Sequence, residues 1–294
     1  MVRMQAELGH FLCVGLDSDR MKITPAMVSA PSLYMRILTF NRAIVDATRD
    51  VAAAYKPNLA FYSGDEALLA LRDTIEYIHK TALEVPVILD AKYADIGNTN
   101  EGYVQNAFEF LRADAVTLNP YLGRKALEPF LKHEDKGAIV LCRTSNEGSD
   151  EFQDRRVSLN PAEFRAFEHR IGREVPEGDV LLHQYVAYQI ATSWNAKGNC
   201  ALVVGATYPR ELAEVRRIVG DMLILVPGAG TQGGSVEEVM RNGMNSYHAG
   251  LLINSSREIN FAGADSEFAS ASRQKAVVRH DEITRIRAEL RAGT

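Results

Sequence analysis

The sequence predicts the α/β class, with a (β/α)8 TIM barrel formed by a single domain over residues 1–294. Eight short apolar runs are typical of buried strands, and a helical pattern follows every run but the fifth within a few residues. No linker or shift in composition divides the chain. Alternating strands and helices favour a parallel sheet, and eight such units favour its closure into a barrel. A doubly wound open sheet is the alternative.

The predicted strands are aliphatic runs that end in polar or turn-forming residues. In order they cover residues 11–16, 51–55, 85–88, 113–118, 137–142, 199–204, 222–226 and 249–253. Apolar residues at three- and four-residue spacing predict helices at 32–50, 64–80, 98–112, 180–195, 209–219, 236–242 and 266–290, with one more before residue 137. In the helix at 98–112 we expect Tyr103, Ala107, Phe110 and Leu111 to face inward.

The regular alternation of strands and helices breaks between residues 147 and 178. This stretch is long, charged and weakly periodic, and only residues 161–168 have the pattern of a short helix. Loops of this length inside a compact domain are usually functional or inserted. We therefore expect an insertion at the mouth of the barrel.

Composition and charge narrow the class of protein. The chain is 46% hydrophobic with a formal net charge of −5, which argues against a nucleic-acid-binding protein because such proteins carry a basic face. No apolar run approaches the ~18 residues of a membrane span, and the N-terminal residues lack the apolar core of a signal peptide. Cys13, Cys142 and Cys200 lie inside apolar runs, so we expect buried thiols in a reducing, cytoplasmic compartment.

A D-x-K-x-x-D motif follows the third predicted strand. Asp90 and Lys92 are two residues apart, so their side chains should project from one face of an extended strand. Asp95 lies beyond the expected strand end, where it either brings a second carboxylate to Lys92 or serves another site. A lysine between two aspartates is held protonated, which suits a cationic acid rather than a Schiff-base nucleophile. A salt bridge at a strand end is the alternative.

Polar residues also follow the other predicted strands. In a barrel of this type the working residues lie at the carboxyl ends of the strands, where their loops meet. Besides the D-x-K-x-x-D motif, the residues at these ends are Asp17, Lys56, Asn119, Ser145, Thr207, Gln232 and Arg257. Charged residues after the first, second, third and eighth strands predict a polar site at the mouth.

Residues 227–234 (PGAGTQGG) contain a G-x-G-x-x-G pattern. A dinucleotide-binding loop would need an acidic residue about 20 positions on, where this sequence has Asn254 and Ser255. We favour a phosphate site formed by the loops after the seventh and eighth strands. Glycines such as Gly233 let backbone N–H groups approach an anion, and Arg257 can clamp it. A tight turn and a surface arginine are the alternative.

The sequence offers no pattern for metal or serine-nucleophile chemistry. Its seven histidines show neither H-x-H nor H-E-x-x-H spacing. No Ser-His-Asp arrangement is recognisable, and G-x-S-x-G is absent. We therefore expect no metal site.

Eight stretches carry a resemblance to one family, and they run almost the length of the chain. They are 14–17 (VGLD), 55–58 (YKPN), 89–99 (LDAKYADIGNT), 119–123 (NPYLG), 144–146 (TSN), 204–207 (VGAT), 227–234 (PGAGTQGG) and 256–257 (SR). In residues and order they resemble the longer branch of the orotidine 5′-phosphate decarboxylase family. The resemblance implies decarboxylation of orotidine 5′-phosphate to uridine 5′-phosphate, the last step of de novo UMP synthesis, without a metal or organic cofactor.

The resemblance also implies roles in a charged Lys-Asp-Lys-Asp array. Lys92 would donate a proton to C6 of the pyrimidine as carbon dioxide leaves, with Asp90 close to the substrate carboxylate and Lys56 contacting the ribose. Asp95 and Thr99 match residues that the family contributes from the neighbouring subunit, which implies a homodimer with shared active sites. The remaining contacts would be Asp17 to a ribose hydroxyl, Ser145 to the pyrimidine, Gln232 to base and phosphate, and Ser256 and Arg257 to the phosphate.

Two other functions remain open from the sequence. A related barrel uses the same D-x-K-x-x-D motif on a sugar phosphate with a magnesium ion and an enediolate intermediate. That site needs further carboxylate ligands, for which Glu66 is the nearest candidate after the second strand. A catalytically silent barrel could bind nucleotides for regulation, although it would have no physical need for a buried set of like charges.

Overall fold

Ten strands form in the part of the chain that the computed structural model describes, which is residues 9–172, 179–230 and 233–293. Eight of them are the aliphatic runs that the sequence predicts as strands. The strands are β1 (Leu12–Leu16), β2 (Ala52–Pro57), β3 (Ile88–Tyr93), β4 (Ala115–Leu118), β5 (Gly137–Arg143), β6 (Arg156–Ser158), β7 (Asp179–Leu181), β8 (Cys200–Val204), β9 (Ile224–Pro227) and β10 (Leu251–Ser255).

The eight long strands form one parallel sheet in the order β2-β1-β10-β9-β8-β5-β4-β3. Its two edges meet, because Tyr55 bridges Val87 and Asn58 bridges Asp90 in parallel pairing. A sheet whose first and last strands pair is a closed barrel. The predicted (β/α)8 barrel is therefore confirmed, and the open sheet is excluded.

The barrel has two separate apolar layers. Small and aliphatic side chains from successive strands fill the inside of the barrel, among them Cys13, Ala54, Ile88, Ala201 and Leu252. A larger layer lies between the outer face of the sheet and the helices. Because a packed interior closes the barrel below its mouth, polar groups gather at the carboxyl ends of the strands.

Eleven helices surround the barrel in the described ranges. They are α1 (Leu33–Thr48), α2 (Asp65–Thr81), α3 (Gly97–Val104), α4 (Arg124–Leu131), α5 (Asp150–Gln153), α6 (Pro161–Ile171), α7 (Leu182–Gln189), α8 (Pro209–Val219), α9 (Val236–Gly243), α10 (Arg257–Asn260) and α11 (Phe268–Ala292). None of these helices has both the length and the apolar character needed to cross a bilayer.

The helix predicted at residues 98–112 forms in two parts. Helix α3 is followed by a π-helical turn over Gln105–Phe110. The wider turn shifts the side-chain phase that a regular 3.6-residue period sets. Ala107 and Leu111 are buried as expected, but the prediction for Phe110 is wrong because its side chain is exposed and lies against the guanidinium of Arg72.

The stretch predicted as an insertion carries its own secondary structure. Strand β6 pairs antiparallel with β7, and helices α5 and α6 flank β6. Asn160 caps α6 by accepting the N–H of Glu163, whose carboxylate accepts the N–H of Asn160 in return. The helix predicted at 180–195 is corrected at its start, since residues 179–181 are a strand. Residues 173–178 of the predicted insertion lie outside the described ranges.

Candidate active site

A pocket of about 680 Å3 opens at the carboxyl ends of the barrel strands. Its lining comes from residues that lie in or just after β1, β2, β3, β5, β8, β9 and β10. The lining residues are Asp17, Lys56, Asn58, Asp90, Ser145, Thr207, 227–230, Gly233 and 254–258. The structure thus brings together residues predicted separately at seven strand ends.

Two lysines share one carboxylate on the wall of this pocket. Lys56 Nζ donates to Asp90 Oδ2 at 2.8 Å, and Lys92 Nζ donates to Asp90 Oδ1 at 2.6 Å. Lys56 and Asp90 are buried, whereas the side chain of Lys92 is about half exposed. One end of the array is therefore fixed in the barrel, and the other presents an ammonium group to solvent or a ligand.

The backbone at Lys92 departs from a regular strand. Its φ is 51°, in the left-handed region that residues with a Cβ seldom adopt, and the pairing of β3 with β4 shifts register between Leu89 and Tyr93. Thr117 on β4 stabilises this bend by accepting the N–H of Lys92 and donating its hydroxyl to Asp90 Oδ1. A strained backbone held by its neighbours is typical of a functional site.

The array keeps its charges because they offset one another. Burial alone would raise the pKa of Asp90. The positive charges of Lys56 and Lys92 have the larger effect and lower this pKa to about 2. Burial lowers the pKa of Lys56, but the negative charges of Asp90 and Asp17 outweigh burial and raise it above its usual value. Asp90 is therefore a carboxylate and Lys56 an ammonium at neutral pH.

Asp17 and Ser145 face the pocket from two other strand ends. Asp17 Oδ1 is buried and accepts no hydrogen bond from the described residues, although it lines the pocket. A buried acceptor without a donor is unfavourable unless a ligand or water supplies one. Ser145 lies beyond the end of β5 and is exposed to the pocket.

The glycine-rich loop after β9 and the start of α10 form the remaining part of the wall. Gly233 has no room for a side chain, because a Cβ there would lie 1.8 Å from the carbonyl oxygen of Gly228. Its N–H donates to the carbonyl of Gly230 at 3.0 Å, so it closes the loop rather than pointing at an anion. Ser256 and Arg257 line the same region, and Arg257 is exposed without an ion pair among the described residues.

Comparison with known proteins agrees with this geometry. The model of the orotidine 5′-phosphate decarboxylase / HUMPS family matches residues 10–271. The chain belongs to this family. It is 44% identical over 276 residues to the orotidine 5′-phosphate decarboxylase of Ralstonia pickettii (strain 12J), which covers 94% of this chain and 93% of that protein.

Two solved structures have the same fold as this family member. The Leishmania donovani OMP decarboxylase matches with a TM-score of 0.75 and 33% identity over 96% of both chains. The Leishmania donovani UMP synthase matches with a TM-score of 0.78 and 34% identity, over 97% of this chain but only 55% of that chain. The likeness therefore extends over nearly the whole of the present chain.

Three residues predicted for a decarboxylase site do not line the pocket of their own chain. One is Lys92, which adjoins the pocket through its ion pair with the lining residue Asp90, and the others are Asp95 and Thr99. Asp95 accepts the N–H of Ile96 at 2.7 Å and does not pair with Lys92, and Thr99 is exposed on the first turn of α3. Of the two possibilities for Asp95, a second carboxylate on Lys92 of the same chain is not formed. Gln232, predicted to contact base and phosphate, lies outside the described residues.

Sequence reasoning missed several polar residues in or beside this decarboxylase-family pocket, among them Thr117, Asn58 and Glu258. Thr117 bonds Asp90, Asn58 bridges the barrel edges beside Asp90, and Glu258 lines the region next to Arg257. The carboxylate of Glu258 pairs with Arg279 at 2.9 Å, so its charge is offset. For Thr117 a signal existed, since it is a hydroxyl residue among the apolar residues at the end of the predicted strand 113–118.

Proposed function

We propose that the chain decarboxylates orotidine 5′-phosphate to uridine 5′-phosphate, with Lys92 as the proton donor to C6 of the pyrimidine. The observation that carries this is the Lys56–Asp90–Lys92 array, which adjoins a pocket whose lining also includes the phosphate-binding candidates. Family membership supports the same reaction, because the curated relatives are named for it.

The chemistry requires a fixed positive charge. Loss of carbon dioxide from C6 leaves a vinylic carbanion whose electron pair no ring carbonyl can absorb. Stabilisation must then come from charge already positioned where the carbanion develops. The ammonium group of Lys92 supplies that charge and afterwards transfers its proton to C6, which leaves a C–H bond in the product and a neutral lysine. Asp90 would hold Lys92 in place and lie close to the substrate carboxylate.

The phosphate lies far from the reacting bond and would serve as an anchor. Arg257 offers a charged fork and Ser256 an adjacent polar group, while Gly233 keeps the wall clear of side chains. Gln232 would bridge base and phosphate. Binding energy from this remote group can stabilise the closed, ordered site in which the transition state forms.

The ribose and base would be held by the other strand ends. The unpartnered carboxylate oxygen of Asp17 is ready to accept a hydrogen bond from a ribose hydroxyl. Lys56 interacts electrostatically with both Asp90 and Asp17, and it would contact the ribose. Ser145, on the opposite side, would hydrogen-bond the pyrimidine.

We also propose a homodimer in which Asp95 and Thr99 complete the neighbouring subunit's site. Large apolar side chains are exposed after β3 and after the neighbouring strand β4: Ile96 is 62% exposed, Tyr121 82% and Leu122 48%. Exposed apolar side chains clustered near a polar site are typical of a protein–protein interface. A second copy of this chain, bound there, would cover these side chains and bring its Asp95 towards Lys92.

The organisation of the chain supports two further proposals. All eight barrel strands from β1 to β10 share one sheet, which supports a single domain with an insertion near residues 147–178. Cys13, Cys142 and Cys200 are buried free thiols, which supports the reducing, cytoplasmic location expected from the sequence.

The magnesium-dependent alternative lacks a ligand set in the described residues. No group of three or more His, Cys, Asp or Glu is placed to hold a metal there. Glu66, the candidate ligand, instead accepts the backbone N–H of Tyr34 at 2.9 Å and does not line the pocket. The placement of Glu66 therefore gives the magnesium-dependent alternative no support.

One assay separates the candidate functions. The protein is incubated with orotidine 5′-phosphate and an excess of chelator, and the loss of substrate absorbance is followed. We expect turnover at the same rate with and without the chelator. Binding without turnover would favour the silent barrel, and turnover abolished by the chelator would favour the metal-dependent barrel.

A further inference from the structure

A buried arginine ends β5, two residues before the pocket residue Ser145. The side chain of Arg143 is 1% exposed, and its guanidinium pairs with Asp154 Oδ2 at 2.9 Å. It also donates to the hydroxyl of Ser149 and to the carbonyl of Thr144. The guanidinium carbon lies 3.8 Å from the centroid of the Tyr208 ring, which places the cation over the aromatic face.

These partners come from the residue directly after β5, from the insertion and from the loop after β8. Ser149 and Asp154 belong to the insertion and flank α5, whereas Tyr208 follows β8. Gln153, which lies in α5, accepts the backbone N–H of Thr144 at 2.8 Å. Arg143 therefore ties the insertion and the β8–α8 loop to the end of one barrel strand.

The same contacts lie next to two residues that line the pocket. Ser145 is two residues beyond Arg143, and Thr207 immediately precedes Tyr208; both line the pocket. The carbonyl of Arg143 accepts the N–H of Gly205 at 2.7 Å. A Cβ at Gly205 would lie 2.6 Å from Cβ of Ser145, so the two strand ends are already in close contact.

In the Arg143–Asp154 pair the arginine is buried, whereas the side chain of Asp154 is 33% exposed. An ion pair that loses hydration in this way contributes little net stability compared with apolar residues of the same volume. Its geometric specificity is greater, since a planar guanidinium binds a carboxylate and stacks on a ring in one orientation only. Such a group suits the positioning of neighbouring residues better than it suits general stabilisation.

We propose that Arg143 is a positioning residue that holds Ser145 and Thr207 against the base of the nucleotide. The proposal rests on the proposed function, because it assumes that a pyrimidine nucleotide occupies the pocket. Arg143 touches no substrate itself. Through Ser149, Asp154 and Tyr208 it sets the distance between the strand ends of β5 and β8, and hence the fit of the base. The insertion then has a role too, because its Asp154 supplies the counter-charge that keeps Arg143 in place.

The test compares two ligands that share the phosphate and ribose but differ in the base. Affinities for uridine 5′-phosphate and ribose 5-phosphate are measured by calorimetry for the wild type, Arg143→Met and Arg143→Lys. We expect Arg143→Met to weaken uridine 5′-phosphate binding about tenfold, the value of one well-placed hydrogen bond, and to leave ribose 5-phosphate within about twofold. We expect Arg143→Lys to show the same selective loss. A lysine ammonium lacks the planar guanidinium that pairs with Asp154 and lies flat on the Tyr208 ring.

Arg216→Lys is the matched control. Arg216 is also buried, but it donates to the carbonyls of Gly220, Met222, Gly243 and Gly250 at the opposite end of the barrel. A purely structural effect would change both affinities in parallel, so we expect this control to leave their ratio unchanged. If Arg143→Met does not fold, Arg143→Lys carries the comparison.

Each outcome supports or overturns a defined statement. Parallel losses for both ligands in the Arg143 variants, or an unchanged affinity for uridine 5′-phosphate, would overturn the positioning role alone. A wild type that binds neither of the two ligands and does not turn over orotidine 5′-phosphate would overturn the proposed function instead. A selective loss of the base-bearing ligand, together with a fall in kcat/KM of about 100-fold, is the result expected for a displaced binding group.

Discussion

Asp90 carries its negative charge between two ammonium groups, and this sets how the site responds to pH. Its pKa is about 2 in the folded protein, against about 3.9 for an unperturbed aspartate. The folded state therefore binds this proton less readily than the unfolded chain. The stabilisation that results is fully present above about pH 4 and is lost as the pH falls towards 2.

Removing the carboxylate of Asp90 tests its contribution to stability and its contribution to decarboxylation. We expect Asp90→Asn to lower the free energy of unfolding by roughly 3 kcal/mol at pH 7, because it leaves the buried ammonium of Lys56 without its main counter-charge. It should also abolish decarboxylation. Urea unfolding at several pH values gives the free energies, and the gap between wild type and variant should narrow below pH 4.

Asp114→Asn is a matched control for that experiment. Asp114 is partly buried and has a lowered pKa, because hydrogen bonds from His79 and Val87 and nearby positive charge outweigh the effect of burial. It precedes β4, at the end of the barrel opposite the pocket. We expect it to lose stability but to retain turnover. A turnover loss equal to that of Asp90→Asn would mean that activity reports folding alone.

At the scale of elements, the barrel strands were the most predictable feature. Because these strands are buried on both faces, each appears in the sequence as a continuous aliphatic run. The polar residues at the ends of the runs indicate the mouth of the barrel. The proximity of Asp90 and Lys92 follows from the two-residue period, but the left-handed backbone of Lys92 and the hydroxyl of Thr117 depend on the irregular pairing of β3 with β4. No local pattern predicts such pairing.

The strand pair β6–β7 and the π-helical turn escaped prediction for other physical reasons. Strands β6 and β7 have three residues each and pair across a long separation, so neither has a readable period. The π-helical turn after α3 breaks the helical period without any proline or glycine in it, and Phe110 turns outward as a result. The anchoring role proposed for Arg143 was also invisible, because its partners are distant in sequence.

At the scale of the whole molecule, the proposed shared site predicts complementation between inactive variants. Lys92→Ala and Asp95→Ala should each be inactive alone. In a mixed dimer one site carries both defects, but the other has an intact lysine and an intact aspartate. Unfolding and refolding the two variants together should restore about a quarter of the wild-type activity, since half of the dimers are mixed and each has one working site.

The controls for that experiment are each variant refolded with itself. They should stay inactive after the same treatment. Absence of recovery in the mixture, with a dimer present by light scattering, would show that Asp95 does not serve the neighbouring subunit. An active Asp95→Ala variant on its own would remove Asp95 from the site altogether.

In the proposed mechanism the ammonium of Lys92 donates the proton to C6, and Arg257 binds the phosphate. The most direct measurement compares decarboxylation and uridine 5′-phosphate affinity in the wild type, Lys92→Ala and Arg257→Ala. We expect Lys92→Ala to lose decarboxylation while nucleotide binding stays measurable, and Arg257→Ala to lose most of its affinity instead. Sustained turnover of orotidine 5′-phosphate by Lys92→Ala would contradict the account.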